Sequence, residues 1–255
     1  MGRPVVGSSQ QRGAPKNNQA GDIQASHIRI ASTDEIAAAL DNAGLRLDRA
    51  VIVLVGGAST MGENEFETVA KVLRDEVVPV AERRDAVVID GGTDSGVMQL
   101  IGRARSTLGG RFPLIGVVAE GTVLVPVAGT PSPDAVKLEP NHTLFLLVPG
   151  TQWGDEARWM MDVAAVVAGR RSSVTVLMNG GQIAYTDVAA SLRSGRPVVV
   201  LAGSGRTADA IAKARAGNGG DNRAVEIAAS PLTTVADVRE AGMAAAAIEA
   251  ALDGG

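Results

Sequence analysis

The chain predicts an α/β fold: a single Rossmann-like, doubly wound, mostly parallel sheet with helices on both faces. Three observations carry this. Short runs of Val, Ile and Leu end in glycine, and each gives way to helical spacing; the alternation recurs about six times with short turns. Hydrophobic residues make up 45% of the chain but aromatic ones only 2%, so the core must be aliphatic, as in strands buried on both faces. Residues 25–255 show no break that demands a second domain.

Residues 1–24, rich in Gly, Gln, Asn, Pro and Ser, lack periodicity and read as a disordered arm. Residues 27–31 are a short strand. Ser32 to Glu35 has capping-box spacing, and Ile36, Ala37 and Leu40 start a helix that Gly44 stops. Residues 50–55 (AVIVLV) form a buried strand closed by Gly56-Gly57-Ala58-Ser59. Phe66, Val69, Ala70, Leu73 and Val77 then share a helical stripe, which Pro79 should kink or end. Residues 87–90 form the next strand, Gly91-Gly92 the turn, and 94–108 a helix with Thr93 or Asp94 as its cap.

Residues 113–119 are a strand leading to Glu120-Gly121. The stretch 121–140 has no period and several prolines, as expected of a lid or a small hairpin. The strand at 143–148 is entered through Glu139-Pro140-Asn141-His142. A helix at 153–168, a strand at 173–178 and a helix at 183–192 follow. The strand at 197–202 runs into Gly203-Ser204-Gly205-Arg206-Thr207 and a helix. A polar glycine loop at 217–222, a weak strand or loop at 224–228 and an amphipathic helix over 233–252 close the chain.

Composition excludes several classes. Net charge is −4, and no basic block is present, which argues against nucleic acid as a partner. The chain has no cysteine, hence no disulfide, thiolate metal site or thiol nucleophile. No apolar run approaches the roughly 20 residues of a membrane span, and no secretory signal is visible, so a cytoplasmic location is expected. No metal site or required cofactor is indicated. The G-x-G-x-x-G fingerprint is missing after the first strand, as is a Walker A motif, which disfavours hydride-transfer enzymes and NTPases.

Four strands end in glycine pairs or near-pairs: Gly56-Gly57, Gly91-Gly92, Gly180-Gly181 and Gly203-x-Gly205. In an open parallel sheet these ends share one edge, where ligands bind. Helix N-termini there attract phosphate. The Gly203 turn is the best single candidate, since Ser204, Arg206 and Thr207 add side-chain donors. Thr93, Ser95 and Gly96 belong to the Gly91 turn, and Ala58 to the Gly56 turn. Glu120 could meet a ribose or act as a base. His142 beside Asn141 could bond a ligand or the backbone. Trp153 could stack on a base or simply pack.

In order, AVIVLVGGA, VIDGGTDSGVMQLIGRA, LIGVVAEG, LEPNHTLFLLVPG, VTVLMNGG and VVVLAGSGRTADAIA resemble the SLOG superfamily, within it the branch found in melastatin-type TRP channels and related prokaryotic proteins. The resemblance covers roughly residues 27–215, and its most specific parts are GGT-x-x-GVM, PNHT and GSGR-x-AD. It implies a Rossmann-like fold that binds nucleotide-derived ligands, with ADP-ribose and its cyclic relatives the best-known class. It carries site roles to Gly56, Gly57, Gly91, Gly92, Thr93, Gly96, Asn141, His142, Gly203, Ser204 and Gly205. The superfamily also contains the Lonely Guy phosphoribohydrolases, marked by PGG-x-GT-x-x-E. Here the matching turn starts at Asn179-Gly180-Gly181 and lacks the GT pair, with the Glu position falling near Thr186 or Asp187.

Two functions follow. The favoured one is a binding module for an ADP-ribose-like or NAD-derived nucleotide, with any output passing through self-association or a separate effector protein. The alternative is a nucleosidase in which Glu120 or Asp187 stabilises an oxocarbenium-like state or activates water and His142 assists. No paired carboxylate with an acid/base role is apparent in the sequence.

Overall fold

A computed structural model describes residues 25–57, 61–124 and 133–254. Among these, eight strands form one sheet: β1 (Ser26–Arg29), β2 (Val51–Gly56), β3 (Val87–Asp90), β4 (Leu114–Ala119), β5 (Leu144–Val148), β6 (Ser173–Met178), β7 (Val198–Ala202) and β8 (Thr233–Asp237). Their order is β1-β5-β4-β3-β2-β6-β7-β8. Every pair of these strands is parallel, so the sheet is parallel throughout rather than mostly so.

Strand side chains alternate between faces, and both faces are buried. On β2, Val51, Val53 and Val55 enter one cluster while Ile52 and Leu54 enter the other. The first face is covered by α1 (Ile36–Asn42), α5 (Ala157–Ala168), α6 (Gln182–Arg193), α7 (Arg206–Arg215) and α8 (Asn222–Ala229). The second is covered by α2 (Glu63–Val72), α3 (Val78–Arg83), α4 (Gly96–Thr107) and α9 (Met243–Asp253). This explains why the strands read as continuous apolar runs rather than alternating ones.

Three sequence expectations are corrected. Pro79 does not end its helix. A π-helical turn, Leu73–Val77, joins α2 to α3, and Pro79 sits in the first turn of α3, where a missing N–H does least harm. Residues 224–228 are helical: Asp221 caps α8 by accepting the Arg223 N–H, and the helix packs on α7. Residues 233–252 are not one helix. The β-branched Thr233, Thr234 and Val235 add β8 to the edge of the sheet beside β7, and α9 begins only after Gly242.

The arm at 1–24 lies outside the described residues, as does 125–132 within the expected lid. The flanks of that stretch pair as single bridges, Val123 with Val136 and Thr93 with Leu138, which ties it to the turn after β3.

Candidate functional site

The chain steps from β2 outward through β3 and β4 to β5, then crosses back so that β6 lies on the other side of β2. The sheet order therefore reverses between β2 and β6, the position where open α/β sheets bind ligands. A cleft of about 550 Å³ lies there, within the range of small-molecule sites. Its walls come from the end of β2 (Gly56, Gly57), the turn after β3 (Gly91, Thr93, Ser95), the approach to α5 (Trp153, Glu156) and its first turn (Met160), the start of α6 (Gly181 to Ala184, then Asp187), Arg206 of α7, and Asp134 and Val136 of the long loop.

The glycines at this edge do different jobs. Gly91 faces the cleft: a Cβ there would meet no atom within 4 Å. Gly56 is a packing residue, since a Cβ would overlap Val97 of α4 and lie 2.9 Å from the Met178 carbonyl. Gly205 holds φ at +100°, which favours glycine, and the next residue, Arg206, is itself left-handed at +47°. Such backbone strain needs a surrounding structure that fixes it. Here Thr207 Oγ1 donates to the Gly181 carbonyl at 3.0 Å, and the Ala208 N–H donates to the Asn179 carbonyl at 3.0 Å. The result sets the Arg206 guanidinium beside Gly181, the N-cap of α6. α6 carries no acidic residue in its first turn. Its leading N–H groups and Arg206 together make the anion-favouring part of the cleft.

A pair of carboxylates makes another part. Asp187 is 8% exposed, and its Oδ1 accepts no hydrogen bond from the described residues. Burial, then the charge of Glu156, pushes its carboxyl up to about 7. Burial also raises Glu156, although the Gly154 N–H donates to both its oxygens at 3.0 and 3.2 Å. Nothing in the sequence marks this pair. Asp187 is a candidate there but Glu156 is not, because its approach to α6 depends on how α5 and α6 pack together.

Of the residues expected at the site, Gly56, Gly57, Gly91, Thr93, Ser95, Gly181 and Arg206 line the cleft, as does Asp187 of the alternative reading. Gly92, Gly96, Gly180, Gly203 and Gly205, all at positive φ, shape the turns behind it. Ser204 and Thr207 are turned inward: Ser204 Oγ accepts the Asn179 N–H at 2.8 Å and donates to the Leu201 carbonyl at 2.6 Å. Within the Gly203 turn, it is Arg206 that reaches the cleft wall. Glu120 is drawn away into an ion pair with Arg29. Ala58 lies outside the described residues. Trp153, Met98, Met160, Gln182 and Ile183 also line the cleft; of these the sequence singles out Trp153.

His142 and Asn141 sit elsewhere. His142 is buried, with Nε2 2.8 Å from Asp90 Oδ1 and Nδ1 2.8 Å from Glu139 Oε2. Asn141 donates to Glu139 from its backbone N–H and its amide. Burial opposes the imidazolium, but the charge and hydrogen bond of Asp90, joined by Glu139, raise His142 to about 9. This buried relay braces the site from behind. Asp90 Oδ1 accepts the Gly92 N–H at 2.7 Å, and the Glu139 N–H donates to the Gly92 carbonyl at 2.9 Å. Gly91 and Thr93, on either side, are cleft wall. Among the described residues no group of three or more His, Asp and Glu could hold a metal ion, and no helix is long and apolar enough to cross a membrane.

Sheet order, the glycine edge and the cleft at the reversal define an α/β domain of the Rossmann-like class. Residues 49–247 match the family described as SLOG in TRPM, prokaryote, and the chain belongs to it. Among similar proteins are the transient receptor potential cation channel subfamily M member 2 of Mus musculus, 27% identical over 205 residues, and that of Rattus norvegicus, 27% identical over 208. These alignments cover 67% and 68% of this chain but 14% of each channel subunit. The X-ray structure of TM1055, a structural genomics target, superposes with a TM-score of 0.51 at 18% identity, covering 79% of this chain and 99% of that one, and shares the fold.

Proposed function

We propose that the cleft binds a nucleotide-derived ligand of the ADP-ribose or NAD class, with phosphate at the start of α6 beside Arg206. The observation that carries this is a 550 Å³ cleft at the reversal of strand order, bordered by a helix N-terminus and an arginine. Phosphate binds well in such a place because N–H dipoles and a guanidinium both favour its charge. Thr93 and Ser95 offer hydroxyls to a ribose, and Trp153 offers a ring face. Membership of the SLOG family supports the same reading. Binding would be reported through self-association or a separate effector protein.

A second reading has one specific observation in its favour. Asp187 has Oδ1 unbonded among the described residues and Glu156 nearby; this supports a role for its carboxylate in stabilising an oxocarbenium-like state during N-glycosidic cleavage. One experiment separates the two. The protein is titrated calorimetrically with ADP-ribose, cyclic ADP-ribose, NAD, AMP and ADP, and each mixture is then resolved by chromatography. Binding with intact ligand, weakened at least about tenfold by Arg206→Ala, supports the binding module. Release of free base, abolished by Asp187→Asn, supports the hydrolase. Absence of binding and of turnover with all five refutes both.

A further inference from the structure

The cleft has two electrostatic ends. The anion-favouring end is the start of α6 with Arg206. Along α6, the 1.5 Å rise per residue puts Asp187 about 7.5 Å from Gln182, a spacing that one ribose bridges. The cleft wall also carries Glu156, whose charge acts on Asp187, and Trp153. Asp187 is more than nine-tenths buried and presents an oxygen that no donor among the described residues reaches. Glu156 places a second carboxylate next to it. Among the described residues Arg206, at the other end, is the only lysine or arginine lining the cleft.

Two neighbouring carboxylates, one buried and one half-buried, resist ionisation together. A neutral base with a single N–H donor satisfies one oxygen and leaves the repulsion standing. A ring carrying a full positive charge relieves both at once, in a setting where water screens weakly. Trp153 adds to the same preference. Among the described residues it is the only aromatic side chain on the cleft wall, it is 39% exposed, and an indole face attracts a cation.

We infer that the cleft selects a nucleotide whose base is a cationic heteroaromatic ring, of the pyridinium class, with phosphate at Arg206 and the ring charge against Trp153, Glu156 and Asp187. This rests on the nucleotide reading above and narrows it to a ligand class. A neutral purine nucleotide would bind by its phosphate and forgo the second end.

The test uses two probes that differ by one ring charge. Oxidised nicotinamide mononucleotide carries the pyridinium; its dihydro form keeps the phosphate and ribose and has a neutral ring. Both are titrated into the full chain by calorimetry at pH 8, with EDTA present so that no divalent cation substitutes for the ring charge. AMP and ADP-ribose serve as references. The expected result is that the oxidised form binds about tenfold or more tightly than the dihydro form. Asp187→Asn and Glu156→Gln should each bring that ratio down to about twofold or less, since each removes one charge and keeps the shape. Equal binding of the two forms by the native protein, or an undiminished ratio in both variants, overturns the inference. If AMP or ADP-ribose binds and the pyridinium does not, the cation preference falls and the nucleotide reading stands. If none of the four binds, both fall.

Discussion

The substitution His142→Gln tests the buried relay behind the cleft. The imidazole lies between Asp90 and Glu139, all three essentially sealed from water, and stacks on Phe145 at 5.1 Å between ring centroids. Raising its pKa from 6.5 to about 9 stabilises the fold by about 3 kcal/mol, taking roughly 1.4 kcal/mol for each pH unit. The folded state holds the proton more tightly than the unfolded one, so this stability is complete below about pH 6.5 and is lost as pH rises through about 9. A glutamine side chain would keep hydrogen bonds but no charge, leaving two buried carboxylates uncompensated, at a loss of about 3–5 kcal/mol near pH 7. Urea unfolding of both proteins at pH 6, 7.5 and 9.5 measures this. The gap between native and variant should be largest at pH 6, smaller at pH 7.5, and narrow markedly by pH 9.5. Taking the difference cancels other titrating groups, Asp187 included. A gap below about 1 kcal/mol at pH 7.5, or one that does not narrow, refutes the reasoning.

Asp187→Asn should stabilise the apo protein above pH 7 by about 1–4 kcal/mol and have little effect at pH 3.5. Its native carboxyl is raised from 3.8 to about 7, so the stability it lends is present at low pH and lost as pH climbs through 7; thermal melts at both pH values read this directly. Gly56→Ala should destabilise by about 1–3 kcal/mol in urea titrations, because the new methyl overlaps Val97 and presses on the Met178 carbonyl.

The strands are the most legible part of the chain because both faces of the sheet are buried, so each reads as a short apolar run. β8 is hard to see because an edge strand needs little hydrophobicity: Thr234 is exposed and Val235 only half-buried, and the residues around them fit a helical stripe equally well. α8 is hidden by its alanines and by a glycine loop before it. Pro79 misleads because the π turn before it leaves no mark in periodicity. The edge of the sheet that holds the cleft can be read from glycine pairs, yet the same signal does not separate wall from support. Gly91 lines the cleft, while Gly56, which also lines it, is required first for the packing of α4. His142 looks like a ligand contact because imidazoles are rarely sealed between two carboxylates, and only the fold brings Asp90 to it across 52 residues of sequence. Glu156 stays out of view for a similar reason: its partner lies on another helix.

The most direct test of the account fills the cleft without touching the fold. A side chain at Gly91 would project from a position where a Cβ has open space. Gly91→Leu is therefore predicted to fold with a melting temperature close to that of the native chain and to lose binding of ADP-ribose or nicotinamide mononucleotide, whichever binds the native protein, by about a hundredfold or more in a calorimetric titration. A folded Gly91→Leu protein that binds the nucleotide as well as the native chain would place the ligand elsewhere and contradict the assignment of the cleft.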